Sequence, residues 1–134
     1  MNVPRLLTTL DDIATQYDAI LCDVWGVVHD GTKIFKPATA ALARFKAAGK
    51  PVILVSNAPV PGHRVRTPIS RLGGTDDFYD GIVTSGDVTR AELQARAPGP
   101  AYRIGPPHDD ALFEGLGLDF ADLDKADRKS TRLN

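Results

Sequence analysis

Cysteine is almost absent from this chain, since Cys22 is the only one among 134 residues. A single cysteine excludes an internal disulfide and suits a reducing compartment, and Cys22 itself is expected to be a small buried apolar residue. Long apolar runs are also missing, and Met1–Thr9 lacks the basic start and the sustained apolar core of a secretory signal. We therefore expect a cytoplasmic protein with no membrane partner.

The chain also lacks an excess of charge of either sign. Lysine and arginine number 16 against 17 acidic residues, for a formal net charge of −1. Without a global basic field, no nucleic-acid partner is expected. A small basic cluster, His63, Arg64, Arg66 and Arg71, could hold an anionic substrate, although a solvated helix face is the commoner role of such residues. The composition gives no prediction for the oligomeric state.

What the chain does have is an acidic residue directly after an apolar run. Ala19–Cys22 reads as a buried strand, and the sequence Asp23-Val24-Trp25-Gly26 follows it. In open parallel sheets, ligands bind outside the carboxyl ends of the strands, and Gly26 allows the backbone to turn sharply and to approach a ligand closely. This position predicts that Asp23 is a carboxylate nucleophile, with a simple turn cap as the alternative.

A second apolar run repeats this design. Residues 51–55 are followed by Ser56 and Asn57, which could bind a ligand or form an ordinary turn pair. Residues 37–48 read as a helix, because apolar positions recur at helical spacing between a proline and a glycine. Since a βαβ unit keeps its two strands parallel, we expect Asp23 and Ser56 to emerge at the same edge of the sheet.

The remaining pattern continues the alternation of helices and strands. Apolar spacing and turn residues predict helices at 7–16, 62–72, 88–96 and 109–116, and strands at 81–84 and 101–105. Pro68 is expected to kink or shorten the second of these helices. Asp87 is expected to cap the helix that follows it. The order as a whole favours an α/β fold with a parallel sheet.

Polar motifs follow three of the predicted strands, in this order: Asp23 with the run Trp25–Gly31, Ser56-Asn57, and Thr84-Ser85-Gly86-Asp87. Together they resemble the haloacid dehalogenase-like (HAD) hydrolases, and in detail the class IIA branch, over roughly residues 15–126. The resemblance implies a Rossmann-like, doubly wound parallel sheet. Residues 1–86 would form the N-terminal part of the core, and residues 87–127 the start of an α/β cap domain.

The resemblance also implies a mechanism. Asp23 would attack the phosphorus of a small-molecule phosphate monoester, such as a sugar phosphate, and form an aspartyl-phosphate. Mg²⁺ would be held by the Asp23 carboxylate and by the backbone carbonyl of Trp25. Ser56, Asn57 and the backbone N–H groups around Gly26 would bind the phosphate. The expected partner is therefore a small phosphorylated metabolite.

Trp25 departs from the family pattern, because phosphatases of this family place a second Asp there as general acid and base. An indole cannot transfer that proton, and such help is worth about 10²–10⁴-fold in rate. Three explanations stay open: a substrate with a good leaving group, a replacement acid such as His29 or Asp30, or weak turnover. Otherwise Trp25 is expected to pack locally and His29 to be a solvated loop residue. Family dehalogenases carry an aromatic residue here, so a dehalogenase-type hydrolase and a non-catalytic phospholigand-binding module are the alternatives.

The last residues change abruptly from acidic and leucine-spaced to basic and polar. Residues 128–134 resemble a translated adapter tail, so we expect a foreign segment, with a disordered terminus as the alternative. The resemblance implies that the Lys and Asp motifs that complete a site of this family lie beyond Asn134. Lys125 and Asp127 are not substitutes for them, because they follow no predicted strand. The chain is therefore expected to be an N-terminal fragment that is inactive alone.

Overall fold

Strands and helices alternate along the chain. The computed structural model describes residues 6–124 and 128–131. The strands are β1 (Ile20–Asp23), β2 (Val52–Ser56), β3 (Gly81–Thr84), β4 (Ala101–Ile104) and β5 (Arg128–Thr131). The α-helices are α1 (Lys36–Ala47), α2 (Gly62–Arg71) and α3 (Ser85–Gln94), and short 3-10 helices lie at Leu10–Asp12, Ala14–Gln16 and Pro107–Leu112. A parallel sheet with flanking helices confirms the predicted α/β, Rossmann-like fold class.

The chain divides into two compact units. The first comprises Met1–Val55 and Pro68–Ile82, and the second comprises Ser56–Thr67 and Val83–Asn134. Each unit has its own buried apolar side chains, which include Val28, Val52, Leu54, Ile69 and Phe78 in the first, and Val65, Leu93, Leu112 and Leu116 in the second. The expected division into a core up to residue 86 and a cap up to residue 127 stays a prediction.

Strand β2 lies between β1 and β3 in a three-stranded sheet. β1 and β2 are parallel, with Ile20 opposite Val52 and Asp23 opposite Val55. Paired parallel strands run in the same direction. β1 ends at Asp23, and β2 ends at Ser56, one residue after the Val55 that pairs with Asp23. The βαβ unit inferred from the two apolar runs is therefore confirmed.

Helix α1 connects these two strands and begins one residue before the predicted position. Pro37 lies in its first turn, where the ring restricts φ to a helical value and the missing N–H is not needed. Leu42 and Phe45 are its buried residues, and they are three positions apart, as one face of a helix requires.

The helix expected at 7–16 is wrong, since two separate 3-10 turns occupy this region. The cause is local: the Asp12 carboxylate accepts hydrogen bonds from the backbone N–H groups of Thr8 at 3.0 Å and Thr9 at 3.2 Å. A side chain that bonds to nearby backbone groups competes with a regular helix. The same bonds, led by that from Thr8, lower the pKa of the Asp12 carboxyl below its ordinary value.

Three further helices differ from the prediction. Helix α2 is not interrupted at Pro68, which lies inside it, and the Leu72 N–H donates to the Pro68 carbonyl at 3.0 Å. Helix α3 begins at Ser85 because Thr84 is its N-cap. The helix expected at 109–116 is a 3-10 helix at Pro107–Leu112, which begins earlier because proline favours the first helical position.

Among the described residues, no helix combines the length and the apolar character that crossing a membrane requires.

Strand β5 falls within the segment expected to be foreign or disordered. It pairs in parallel with β4, with Ala101 opposite Arg128 and Ile104 opposite Thr131. Four of the seven residues at 128–134 thus lie in a strand, while residues 125–127 and 132–134, with Lys125 and Asp127, are outside the described residues. A foreign origin for this segment stays a prediction.

Asp80 attaches the beginning of β2 to the chain before β3. Its Oδ2 accepts a hydrogen bond of 2.8 Å from the Val52 N–H, and its own N–H donates to the Val52 carbonyl at 2.8 Å. The Lys46 ammonium lies 3.3 Å from Oδ1. The Val52 bond first, and then Lys46, lower the pKa of the Asp80 carboxyl below its ordinary 3.8. Ionised Asp80 therefore stabilises the fold.

Replacing Asp80 by Asn is expected to lower the Tm at neutral pH, because the amide carries no charge for Val52 and Lys46 to stabilise. Since the pKa is lower in the folded chain, this contribution is complete above 3.8 and is lost as the pH falls through the folded value. Thermal unfolding between about pH 7 and about pH 2 measures it. The difference in Tm between Asp80→Asn and the wild type should disappear in acid. Asp18→Asn, which changes an exposed carboxylate and serves as the control, should have the Tm of the wild type throughout. A difference for Asp80→Asn that stays constant with pH would contradict the prediction.

Candidate active site

Asp23, the predicted nucleophile, is the last residue of β1 and is exposed. Its neighbours Cys22 and Val24 are buried, because successive side chains in extended backbone point to opposite faces. Oδ1 of Asp23 accepts a hydrogen bond of 2.7 Å from the Val24 N–H. Oδ2 accepts none of the hydrogen bonds seen among the described residues. The carboxylate therefore keeps one oxygen for a substrate or a cation.

A tight turn follows Asp23 and returns the chain on itself. The Val24 carbonyl oxygen accepts from the N–H of Val28 at 2.8 Å and of His29 at 3.3 Å, and the Gly26 N–H donates to the His29 carbonyl at 2.7 Å. These bonds fix the backbone next to the predicted nucleophile. The turn thus presents Asp23 on a defined backbone.

Gly26 contributes conformation to this turn rather than a free donor. Its φ is +81°, in the left-handed region where a side chain is strained, and a Cβ placed there would meet no atom within 4 Å. The open space agrees with close approach by a ligand. The N–H, however, is already bonded to the His29 carbonyl, so donation from Gly26 to a phosphate would have to displace that bond.

Trp25 presents its backbone groups and its indole to the surroundings. The bridge between Trp25 and His29 is made by the Gly26 N–H and the Val24 carbonyl. Among the described residues, the Trp25 N–H and carbonyl themselves make no hydrogen bond. The side chain is 67% exposed, so the expectation of a packed tryptophan is wrong. The N–H is therefore a candidate phosphate donor, and the carbonyl a candidate metal ligand.

His29 is buried rather than solvated, with only 5% of its surface exposed, which corrects the expectation from the sequence. Its Nδ1 accepts a hydrogen bond of 3.1 Å from the Gly31 N–H, so the neutral ring carries its proton on Nε2. Its backbone bridges to Trp25 and to Ile34. These contacts make His29 part of the frame of the turn.

Asp30, the other proposed replacement acid, is surrounded by donors. Its Oδ1 accepts from the Thr32 hydroxyl at 2.6 Å, the Thr32 N–H at 2.9 Å and the Lys33 N–H at 2.9 Å. The Thr32 hydroxyl is the largest cause that lowers the pKa of Asp30 to about 2. At neutral pH the group is ionised and has no proton to give, so the structure disfavours Asp30 as a general acid.

Ser56 and Asn57, the predicted phosphate ligands, lie in the second unit at the end of β2. Ser56 is half-buried and its Oγ accepts a hydrogen bond of 3.2 Å from the Ala58 N–H. Because that bond uses the oxygen as acceptor, the hydroxyl proton stays available for donation. Asn57 is exposed. The pair therefore offers donors rather than forming only a local turn.

The third motif has a structural role that the sequence interpretation missed. Thr84 is only 1% exposed, and its hydroxyl lies 2.7 Å from the Val60 carbonyl oxygen. As expected, the Asp87 carboxylate caps α3: from the first turn it accepts from the Thr84 N–H at 3.1 Å, and it also accepts from the Gly62 N–H at 3.0 Å. The Thr-x-x-Asp spacing of a capping box was readable in the sequence, but the attachment to residues 60 and 62 was not.

The basic cluster is only partly gathered around a cavity. His63 and Arg64 line a cavity of about 290 Å³ in the second unit, together with Asp87, Arg90 and Glu114. The Arg90 guanidinium already donates to three backbone carbonyl oxygens, and Asp87 brings negative charge to the wall. An anion-binding role for the cluster stays a prediction.

The oxygen donors at Asp23 and Trp25 match Mg²⁺ in kind, since a carboxylate and a carbonyl are the hard ligands that this cation prefers. Within residues 6–124 and 128–131, no group of three or more His, Cys, Asp or Glu side chains could hold a metal ion. These two residues would therefore supply oxygen ligands of the kind that suits Mg²⁺, and its other ligands would come from water or from other groups.

Comparison with known proteins places this geometry in context. A sequence model described as haloacid dehalogenase-like hydrolase matches residues 20–119. A solved hydrolase of the haloacid dehalogenase-like family from Brucella suis 1330 is 43% identical with a TM-score of 0.80, and the match covers 92% of this chain and 45% of that one. No match was found among curated proteins.

Two further solved structures share the fold at lower identity. A glycerol phosphate phosphatase from Mycobacterium tuberculosis, solved with calcium and also with magnesium, is 23% identical with a TM-score of 0.61 in its calcium form, covering 91% of this chain and 36% of that one. A p-nitrophenyl phosphatase from Archaeoglobus fulgidus is 19% identical with a TM-score of 0.64, covering 87% and 47%. The chain spans less than half the length of these structures.

Replacing Thr32 by Val is expected to raise the pKa of the Asp30 carboxyl from about 2 toward its ordinary 3.8, because the largest stabilising hydrogen bond is removed. An NMR titration of the Asp30 carboxyl carbon measures both values. Thr39→Val is the control, since the Thr39 hydroxyl donates to the Lys36 carbonyl instead. An Asp30 pKa that does not respond to Thr32→Val would contradict the assignment and reopen Asp30 as an acid.

Proposed function

Because the chain belongs to the haloacid dehalogenase-like hydrolases, we propose that its function is the Mg²⁺-dependent hydrolysis of small phosphate monoesters through an aspartyl-phosphate. The observation that carries this proposal is the exposed Asp23 carboxylate, which stands at the end of β1 with Oδ2 free. The phosphatases among the structures of similar fold support a small phosphorylated metabolite, such as a sugar phosphate, as the substrate class.

The proposed reaction has two steps at one carboxylate. Oδ2 of Asp23 attacks phosphorus, the bond from phosphorus to the ester oxygen breaks, and the leaving group departs with the electron pair. Water then attacks the aspartyl-phosphate, releases inorganic phosphate and restores the carboxylate. Oδ1 is held by the Val24 N–H at 2.7 Å, which orients Oδ2 without occupying it.

Phosphate binding is assigned to donors of three residues. The Ser56 hydroxyl, the Asn57 amide and the Trp25 N–H each have a proton that the described contacts leave available. Such donors stabilise the charge that develops on the phosphoryl oxygens, which is usually the largest contribution to catalysis. Gly26 contributes through its φ and the open space beside it, rather than as the main donor.

The Asp23 carboxylate and the Trp25 carbonyl are the residues that would hold Mg²⁺. When bound there, the cation supplies charge stabilisation for the phosphoryl group. The magnesium-bound glycerol phosphate phosphatase of similar fold supports this cofactor.

Trp25 narrows the class of ester. Its indole cannot protonate an alkoxide, Asp30 is ionised at neutral pH because its pKa is about 2, and His29 is buried within the turn. The turn therefore has no poised general acid. Within this substrate class, monoesters whose leaving groups are stable as anions, such as aryl phosphates, are expected to react fastest, whereas a sugar phosphate, which releases an alkoxide, is expected to turn over slowly.

Two alternatives follow from the same tryptophan. A halide leaves without a proton, so an exposed aromatic residue two positions after Asp23 also suits a dehalogenase-type hydrolase. A non-catalytic phospholigand-binding module would keep Ser56 and Asn57 without turnover. Release of halide from a 2-haloacid, or tight phosphate binding with no turnover, would favour these alternatives.

A cytoplasmic location is supported by the single, buried Cys22.

Replacing Asp23 by Asn in the full-length gene product is expected to reduce kcat for p-nitrophenyl phosphate by about 10³-fold or more, because the amide is a poor nucleophile. Release of p-nitrophenol with Mg²⁺ present measures the loss. Asp18→Asn, which changes an exposed carboxylate five positions earlier, should retain full activity. Retention of activity by Asp23→Asn would refute the nucleophile assignment.

Replacing Trp25 by Asp supplies the missing acid and tests the leaving-group argument. The rate for an alkyl phosphate is expected to rise, by up to about 10²–10⁴-fold, while that for p-nitrophenyl phosphate changes little. Parallel assays of glycerol phosphate and p-nitrophenyl phosphate measure the contrast. Equal effects on both substrates, or a loss on both, would mean that Trp25 has a role other than replacing the acid.

A further inference from the structure

The backbone at residues 58–62, directly after the proposed phosphate ligands, is bonded to the start of α3. The Gly86 N–H donates to the Ala58 carbonyl at 3.1 Å. Two residues further on, the Val60 carbonyl oxygen lies 2.7 Å from the Thr84 hydroxyl. Because Thr84 is buried, this contact is shielded from water and the segment is held along its length.

Asp87 makes the third attachment and joins two helix beginnings. Its Oδ1 and Oδ2 accept from the Gly62 N–H at 3.0 and 3.2 Å, where α2 begins. Oδ2 also accepts from the Thr84 N–H at 3.1 Å, and the Asp87 N–H donates to the Thr84 hydroxyl at 2.9 Å. The carboxylate accepts the bonds from the Gly62 and Thr84 N–H groups, whereas an amide would direct its NH₂ group at one of these donors.

Gly86 sets how closely the two segments approach. A Cβ built at this position would overlap the Val60 carbonyl group and would lie 2.6 Å from the Val60 nitrogen. Those neighbours are backbone atoms, which cannot rotate away as the end of a long side chain can. Any larger residue at position 86 must therefore displace residues 58–62, even with the Asp87 carboxylate intact.

Residues 58–62 determine the orientation of the Ser56 hydroxyl. The Ala58 N–H donates to the Ser56 Oγ at 3.2 Å, while the carbonyl of the same Ala58 is bonded to Gly86. Ala58 is thus held on one side by α3 and holds the serine oxygen on the other. A shift of residues 58–62 would turn the hydroxyl proton away from its direction of donation.

From these contacts we propose that Asp87 is a positioning residue for phosphate binding. Its carboxylate holds residues 58–62 against α3 and thereby sets the direction in which Ser56 donates to a phosphate oxygen. The inference rests on the proposed function, because phosphate binding by Ser56 is part of it. Asp87 itself touches no substrate and acts only through the backbone that it holds.

A double-mutant cycle on p-nitrophenyl phosphate hydrolysis tests the proposal in the full-length gene product. Asp87→Asn is expected to raise KM about tenfold with kcat nearly unchanged, because uniform phosphate binding is lost. In a Ser56→Ala background the same change should have little further effect on KM, because the hydroxyl on which it acts is gone. Full additivity of the two changes would overturn the proposal.

Two further variants separate positioning from loss of stability. Gly86→Ala should raise KM as Asp87→Asn does, since it displaces the same backbone by a different cause. Leu93→Ala removes a buried side chain from α3 and should lower the Tm without changing KM. A KM that follows the Tm equally in all three variants would overturn the proposal.

A titration with inorganic phosphate, followed by NMR at the Ser56 N–H resonance, measures phosphate affinity in the absence of turnover. Asp87→Asn is expected to raise the phosphate Kd about tenfold, and an unchanged Kd would overturn the proposal. Turnover that survives Asp23→Asn, with phosphate binding still dependent on Asp87, would defeat the proposed function alone. Absence of phosphate binding in the wild type would defeat this inference and the phosphate part of that function.

Discussion

The parallel pairing of β1 with β2 is the constraint on which the proposed chemistry depends. The register places Asp23 opposite Val55, so the proposed nucleophile and the serine that follows Val55 terminate neighbouring strands. Each strand end has its own requirement in the proposed function: the carboxylate needs a turn that leaves one oxygen free, and the hydroxyl needs a partner that leaves its proton free. The Val24 N–H meets the first need, and the Ala58 N–H meets the second.

Much of this arrangement could be predicted from the sequence, because it depends on patterns of neighbouring residues. Apolar runs that end in Asp23 and in Ser56 identify two buried strands, and the helix between them makes those strands parallel, as the structure confirms. The order of the motifs also predicted the family, which the match over residues 20–119 confirms. The roles of the individual site residues stay predictions.

The errors concern residues whose state is set by contacts that sequence spacing does not reveal. His29 reads as a loop residue, yet the turn encloses it and its Nδ1 accepts from a backbone N–H. Asp30 reads as a possible acid, yet donors from Thr32 and Lys33 lower its pKa to about 2. The capping pattern from Thr84 to Asp87 is local and readable, but its long-range attachment to the segment after Ser56 depends on the fold.

The most direct measurement is the identification of the phosphorylated residue during turnover. The full-length gene product, quenched in acid while it hydrolyses p-nitrophenyl phosphate with Mg²⁺, can be treated with borohydride, which reduces an acyl phosphate to an alcohol, and then sequenced by mass spectrometry. Conversion of Asp23 to homoserine, only when substrate is present, is the predicted result. Turnover with Asp23 unmodified and another residue labelled would contradict the central claim.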